Sequence, residues 1–173
     1  MKKTVALLIS LILVFTLAVP VFAAGNGPQV GVSQQTLKVN GIVHKCEKYN
    51  IDGSNYFKLR DLAYLLSGTG SQFSVGWDAA ANTVSIVTGQ GYDWTGKELL
   101  LGQDASATAQ KSAQTILIDG QIVTGLDVYN IGGSNYFKLR DLGDALGFQV
   151  DYLETARTMV ITTPDGTPPV PAA

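Results

Sequence analysis

Residues 49–62 read YNIDGSNYFKLRDL, and residues 129–142 read YNIGGSNYFKLRDL. Thirteen of the fourteen positions match at a fixed offset of 80, and Asp52 against Gly132 is the one exception. Identity at that density marks an internal duplication, and the duplicated unit decides the fold. Asp52-Gly53 and Gly132-Gly133 suit tight hairpins, because both central residues of a type I′ turn need positive φ. The single mismatch is therefore conservative for the backbone. After the turn comes a short strand and then an amphipathic helix. Leu59, Leu62, Ala63 and Leu66 fall on one helix face, as do Leu139, Leu142 and Leu146, with Gly147 as a C-terminal cap.

The likeness weakens outward but continues. Leu37-Lys38-Val39-Asn40-Gly41 aligns with Ile116-Leu117-Ile118-Asp119-Gly120 after a one-residue gap, and both end in a hairpin dipeptide. Downstream, Phe73, Val75 and Trp77 alternate as a half-buried strand would, matched by Phe148, Val150 and Tyr152. Thr83 to Ile86 then matches Thr158 to Ile161, and the first copy carries five extra residues near Ser67 to Ser71, where Gly68 and Gly70 suggest a loop. Each unit of about fifty residues reads strand, strand, short strand, helix, strand, strand. The expected class is α+β, as two tandem ββ(β)αββ repeats with an antiparallel sheet wrapped around a short helix in each. The first repeat spans 34–88 and the second 114–163. Units of this size bury a small core, so the copies should pack together or share strands. Residues 89–113, rich in Gly, Gln, Ala, Ser and Thr, read as a linker with one short strand at Glu98 to Leu101. The proline-rich tail 164–173 reads as disordered.

The N-terminus has Lys2 and Lys3, an apolar run from Val5 to Phe22, and small residues at Ala23 and Ala24. That reads as a secretory signal over 1–23, cleaved after Ala23, which predicts a secreted protein with no stable membrane insertion afterwards; an uncleaved membrane anchor is the rival reading. Cleavage leaves ten basic against fourteen acidic residues, a net charge of −4 with no basic patch, so nucleic acid is not an expected partner. Cys46 is the one cysteine and His44 the one histidine. A disulfide framework is excluded. His44 and Cys46, two apart on a predicted strand, would share a face, but two ligands do not make a zinc site. Their counterparts are Thr124 and Leu126, so the module does not need them, and no metal or cofactor is expected.

The pattern Gly53, Leu59-Arg60-x-Leu62, Val75-x-Trp77-Asp78, Thr83 and Ile86 resembles the copper amine oxidase N-terminal-like domain. The second copy carries it on Gly133, Leu139-Arg140-x-Leu142, Val150, Tyr152, Thr158 and Ile161. This stalk domain belongs to secreted and surface proteins of Gram-positive bacteria. The resemblance implies a sheet wrapped around a helix. It implies no amine oxidation, since the copper site of such enzymes needs three histidines in a separate domain. Lys58 and Lys138 depart from the proline common in the family, and the aromatic residues at 56, 57, 136 and 137 from its aliphatic ones.

No nucleophile elbow, phosphate loop or dinucleotide fingerprint is present, and a non-enzyme is expected. Tyr49, Asn55, Tyr56, Tyr129, Asn135 and Tyr136 would give each copy an aromatic-plus-amide surface suited to sugar rings. Trp94, with Tyr92, would add an exposed contact. Gly53, Leu59, Arg60, Asp61, Leu62 and Trp77, with Gly133, Leu139, Arg140, Asp141 and Leu142, read as the structural motif. The expected function is a binding or adhesion module that contacts cell-wall polymer, polysaccharide or a surface protein. A spacer or self-associating oligomer is the second reading, and a small hydrolase using Asp and Glu the third.

Overall fold

The tight turns form where the dipeptides stand. Asn40-Gly41, Asp52-Gly53, Asp119-Gly120 and Gly132-Gly133 all take positive φ, between 45° and 86°, as type I′ hairpins require. The computed structural model describes residues 27–168. The signal segment and residues 169–173 lie outside them. Before the first helix stand β1 (Val30–Val32), β2 (Thr36–Val39), β3 (Ile42–His44), β4 (Lys48–Ile51) and β5 (Ser54–Lys58). Helix α1 (Leu59–Leu66), β6 (Phe73–Asp78) and β7 (Thr83–Thr88) follow. The second half repeats the order with β8 (Gln110–Lys111), β9 (Thr115–Ile118), β10 (Gln121–Ile122), β11 (Val128–Ile131) and β12 (Ser134–Lys138). It closes with α2 (Leu139–Leu146), β13 (Gln149–Leu153) and β14 (Thr158–Thr162). The class is α+β, mostly strand with two short helices.

The strands are not divided by copy. One six-stranded sheet runs β1-β4-β5-β12-β11-β8, joined at its centre by antiparallel pairing of β5 with β12. In that register Phe57 faces Phe137, Tyr56 faces Lys138 and Lys58 faces Tyr136. Such a reciprocal register places a local two-fold axis at the phenylalanine pair. Two four-stranded sheets exchange hairpins across this axis. β6 and β7 of the first half pair with β9 and β10 of the second, through a parallel β7–β9 contact. β13 and β14 pair with β2 and β3 through a parallel β14–β2 contact. The antiparallel sheet expected to wrap each helix within one copy is thus replaced by sheets built from both. The reason is size: a fifty-residue unit cannot cover its own helix, and a second copy supplies the missing strands.

Strand alternation in the central sheet gives two buried faces. Phe57, Phe137 and Val128 point toward the helices and join Leu37, Leu62, Leu66, Phe73, Ile86, Leu142 and Ile161 in the larger core. Each such side chain contributes on the order of 1.5–3 kcal/mol by burial. Tyr49, Ile51, Tyr56, Tyr129, Ile131 and Tyr136 form a smaller core on the opposite face, closed by Val30, Ala105 and Ala109.

Segment 89–113 is a strap and not a free linker. No strand forms at Glu98 to Leu101, where Leu99 sits at φ 59°. Leu99 N–H instead donates to Asp61 (3.1 Å), and Tyr92 Oη (2.6 Å), Thr95 Oγ1 (2.6 Å) and Thr95 N–H (3.1 Å) donate to Glu98. Burial opposes ionisation of Glu98, but these donors outweigh it and hold the carboxyl at about 2. Farther on, Ala105 N–H donates to Tyr49 Oη (3.1 Å) as the chain crosses the tyrosine core. The start of the tail is also held, contrary to the disorder expected from composition. Asp165 accepts from Gly70 N–H (2.8 Å) and Thr163 Oγ1 (2.7 Å), so it docks on the five-residue insertion of the first copy.

Candidate functional site

The tyrosines expected at the surface are interior. Tyr49, Tyr56, Tyr129 and Tyr136 are all buried. They meet edge to face across the two-fold axis, Tyr49 with Tyr136 at 5.1 Å and Tyr56 with Tyr129 at 5.4 Å. Their hydroxyls reach acids that the repeat comparison passed over. Tyr49 donates to Glu47 (2.9 Å), while Tyr136 lies beside Glu47 and Tyr56 beside Asp127. Glu47 and Asp127 lie 80 residues apart and so are equivalent. Each therefore stands beside a tyrosine of the other copy. Burial raises the pKa of Tyr56 and Tyr136. Rings packed against one another and closed over by Val30, Ala105 and Ala109 have no face left for a sugar, which corrects the surface reading.

The two asparagines in that reading do reach the surface, in different company. Two clefts lie at opposite ends of the central β5–β12 pair, and the two-fold axis relates them. One, of about 360 Å³, is lined by Gly53, Ser54 and Asn55 of the first copy and by Lys138, Leu139, Arg140, Val150 and Tyr152 of the second. Its twin, of about 280 Å³, is lined by Gly133, Ser134 and Asn135 of the second copy and by Lys58, Leu59, Arg60, Val75 and Trp77 of the first. Both are at the small end of ligand-binding clefts. Every one of these pairs is an equivalent pair of the duplication, and each cleft takes its turn from one copy and its helix start and aromatic from the other.

The local sequence explains the placement. The glycine turn brings the Asn side chain to the strand start, next to the end of the antiparallel partner, where Lys and the Leu-Arg helix start emerge. Asn55 Oδ1 accepts from Ser33 Oγ (3.1 Å), and Asn135 Oδ1 accepts from Asn130 Nδ2 (3.3 Å). Lys58 lies 3.9 Å from Asp61, and Lys138 lies 3.4 Å from Asp141. Arg60 donates to Tyr92 Oη (3.3 Å), which ties it to the strap. Trp77, grouped above with the fold-defining residues, is 46% exposed. It stands at the far end of β6, past the helix, where its ring edges the cleft. Leu59, Leu62, Leu139 and Leu142 are buried, as the helix pattern requires.

Each cleft also contains a glutamine that sequence comparison missed. Gln35 and Gln114 line the two clefts, and the Oε1 atom of each is buried with no hydrogen-bond partner among the described residues. The signal was present as Ser33-x-Gln35-Thr36 and Ser112-x-Gln114-Thr115, which match at an offset of 79. The structure treats them alike: Ser33 N–H donates to Lys48 O and Ser112 N–H to Val128 O, both at 2.9 Å. The second unit thus begins inside the stretch read as a linker. A buried carbonyl oxygen left unsatisfied costs about 1–3 kcal/mol, and a hydroxyl donated by a ligand removes that cost.

The remaining candidates lie elsewhere. Trp94 is 58% exposed and rests near Tyr64 (6.3 Å between rings), outside both clefts. β3 ends at His44, so Cys46 does not share a strand face with it. Cys46 is buried, and burial pushes its thiol up to about 12, which makes it an inert core residue and not a surface thiol. Among the described residues no three His, Cys, Asp or Glu side chains group as metal ligands. No described helix is long and apolar enough to cross a membrane. No protein-family model, no curated protein and no solved structure matches this chain.

Proposed function

We propose that the chain is an exported, non-catalytic binding module of the stalk-domain type, a tandem duplication that holds an extracellular sugar polymer in its two clefts. The observation that carries this reading is the doubling of the cleft itself. An aromatic ring, an asparagine, a lysine, an arginine and an unsatisfied glutamine oxygen recur in both. Aromatic faces stack on sugar rings, while carboxamides and cations meet hydroxyls and carbonyls. Two sites of like construction on one chain suit a ligand that repeats, because the second contact then forms at high effective concentration.

Retention on insoluble peptidoglycan and on polysaccharide beads tests the proposal, with wild type set against the Trp77→Ala/Tyr152→Ala double variant. The expected result is retention of wild type on at least one polymer and a loss of tenfold or more in the variant, with unchanged near-UV circular dichroism. Absence of retention on every polymer, or equal retention of the two proteins, contradicts it.

A further inference from the structure

The clefts share their construction but not their charge. The Tyr152 cleft sets Lys138 and Arg140 against Asp151 and Glu154. In the Trp77 cleft the equivalent positions are Gly76 and Ala79, so Lys58 and Arg60 line it with no Asp or Glu among the lining residues. Asp78, the next residue along, turns its carboxylate into its own hairpin, where it accepts from Ala80 N–H (2.9 Å) and Ala81 N–H (3.1 Å). Asp61 is buried under Lys58. The chain as a whole is acidic, so this cationic opening is a local exception.

We infer that the Trp77 cleft is a subsite for an anionic sugar unit, whose acid group meets Lys58 and Arg60 while its ring lies on Trp77, and that the Tyr152 cleft takes an uncharged unit. The inference rests on the polymer-binding reading and sharpens it, since it names an alternating or mixed polymer as the ligand class. Gln114 Oε1 and the Nδ2 donor of Asn135 are left for hydroxyls of the same unit. Arg60 is held by Tyr92 Oη on one nitrogen, and its planar fork keeps further donors for the acid. The acid group is either a sugar carboxylate or a phosphodiester, and both carry the charge the cleft lacks.

The test uses the full chain and calorimetric titration with three polymers: polygalacturonate, its neutral methyl ester, and a phosphodiester-linked polymer of a neutral hexose. The variants are Arg60→Gln, its twin Arg140→Gln, and Ala79→Glu, which installs at an exposed hairpin position the acid the other cleft has in Glu154. Thermal melts establish that each variant is folded. The expected result is that Arg60→Gln weakens binding of an anionic polymer tenfold or more and Ala79→Glu weakens it severalfold. Arg140→Gln should weaken it less than Arg60→Gln does. Preference for the carboxylated or the phosphate polymer identifies the source of the acid. Equal effects of Arg60→Gln and Arg140→Gln, or a methyl ester that binds as well as the acid, overturn the inference while leaving polymer binding intact. Binding of none of the three polymers overturns the inference, while the retention assay above decides separately on the wider reading.

Discussion

Gly143 stands where the first copy has Ala63, and the two helices leave their last turns differently. In α2 the Gly147 cap, at φ 77°, lets the N–H groups of residues 147 and 148 return to Gly143 O at 2.8 and 3.1 Å. A Cβ on Gly143 would lie 2.8 Å from the Phe148 carbonyl oxygen and 3.0 Å from Val150 Cγ2. In the first copy five extra residues stand between the helix and β6, and Ala63 is fully buried. Helix propensity alone favours alanine by about 1 kcal/mol. Overpacking against a backbone carbonyl costs about 1–3 kcal/mol and wins. Gly143→Ala is therefore expected to lower stability in urea denaturation, and a stabilised variant would show that α2 is packed otherwise. At this scale the sequence was read unevenly. Turn glycines and helix leucines were legible because their patterns are local. The four tyrosines were not, since period-two alternation cannot say whether both faces of a strand are covered.

Elements were legible as types and less so as partners. The helices and most strands stand where the periodicity puts them, yet pairing across the copies depends on contacts far apart in sequence. The strap over 89–113 is the clearest case, because its composition is that of a loop while its few polar anchors decide its path. Asp61 is the main anchor, accepting from Leu99 N–H (3.1 Å). Burial raises its carboxyl to about 6 from an ordinary 3.8, against the opposing influence of that N–H and of Lys58. Between pH 4 and 6 the native chain therefore keeps a proton that the unfolded chain has released. The stability contributed by this group falls as pH rises through that window and stays lower above it. Asp61→Asn keeps an oxygen for Leu99 and removes the titration. The variant should match wild type near pH 4 and exceed it by on the order of 1–3 kcal/mol at pH 7. A difference independent of pH, measured by urea denaturation at four pH values, would contradict the assignment.

For the whole molecule, the duplication was plain in the sequence but its consequence was not. Thirteen matched positions suggest two equal units, whereas the sheets interleave them so that neither has a complete core. Turn residues lock the exchange at both ends. Asp119 of the second copy accepts from Thr88 N–H (2.8 Å) and Thr88 Oγ1 (2.7 Å) of the first. Its counterpart Asn40 accepts from Thr163 N–H (2.9 Å) and donates to Thr163 Oγ1 (2.7 Å). Because each cleft draws on both copies, the proposed binding depends on this interleaving and not on one repeat. The direct measurement is chemical unfolding of two fragments, residues 27–90 and 91–168, alone and mixed, with their masses followed by light scattering. The expected result is that neither fragment unfolds cooperatively as a monomer and that a one-to-one mixture recovers a single cooperative transition. A fragment that folds alone as a stable monomer would contradict the interleaved architecture, and with it the joint construction of the clefts.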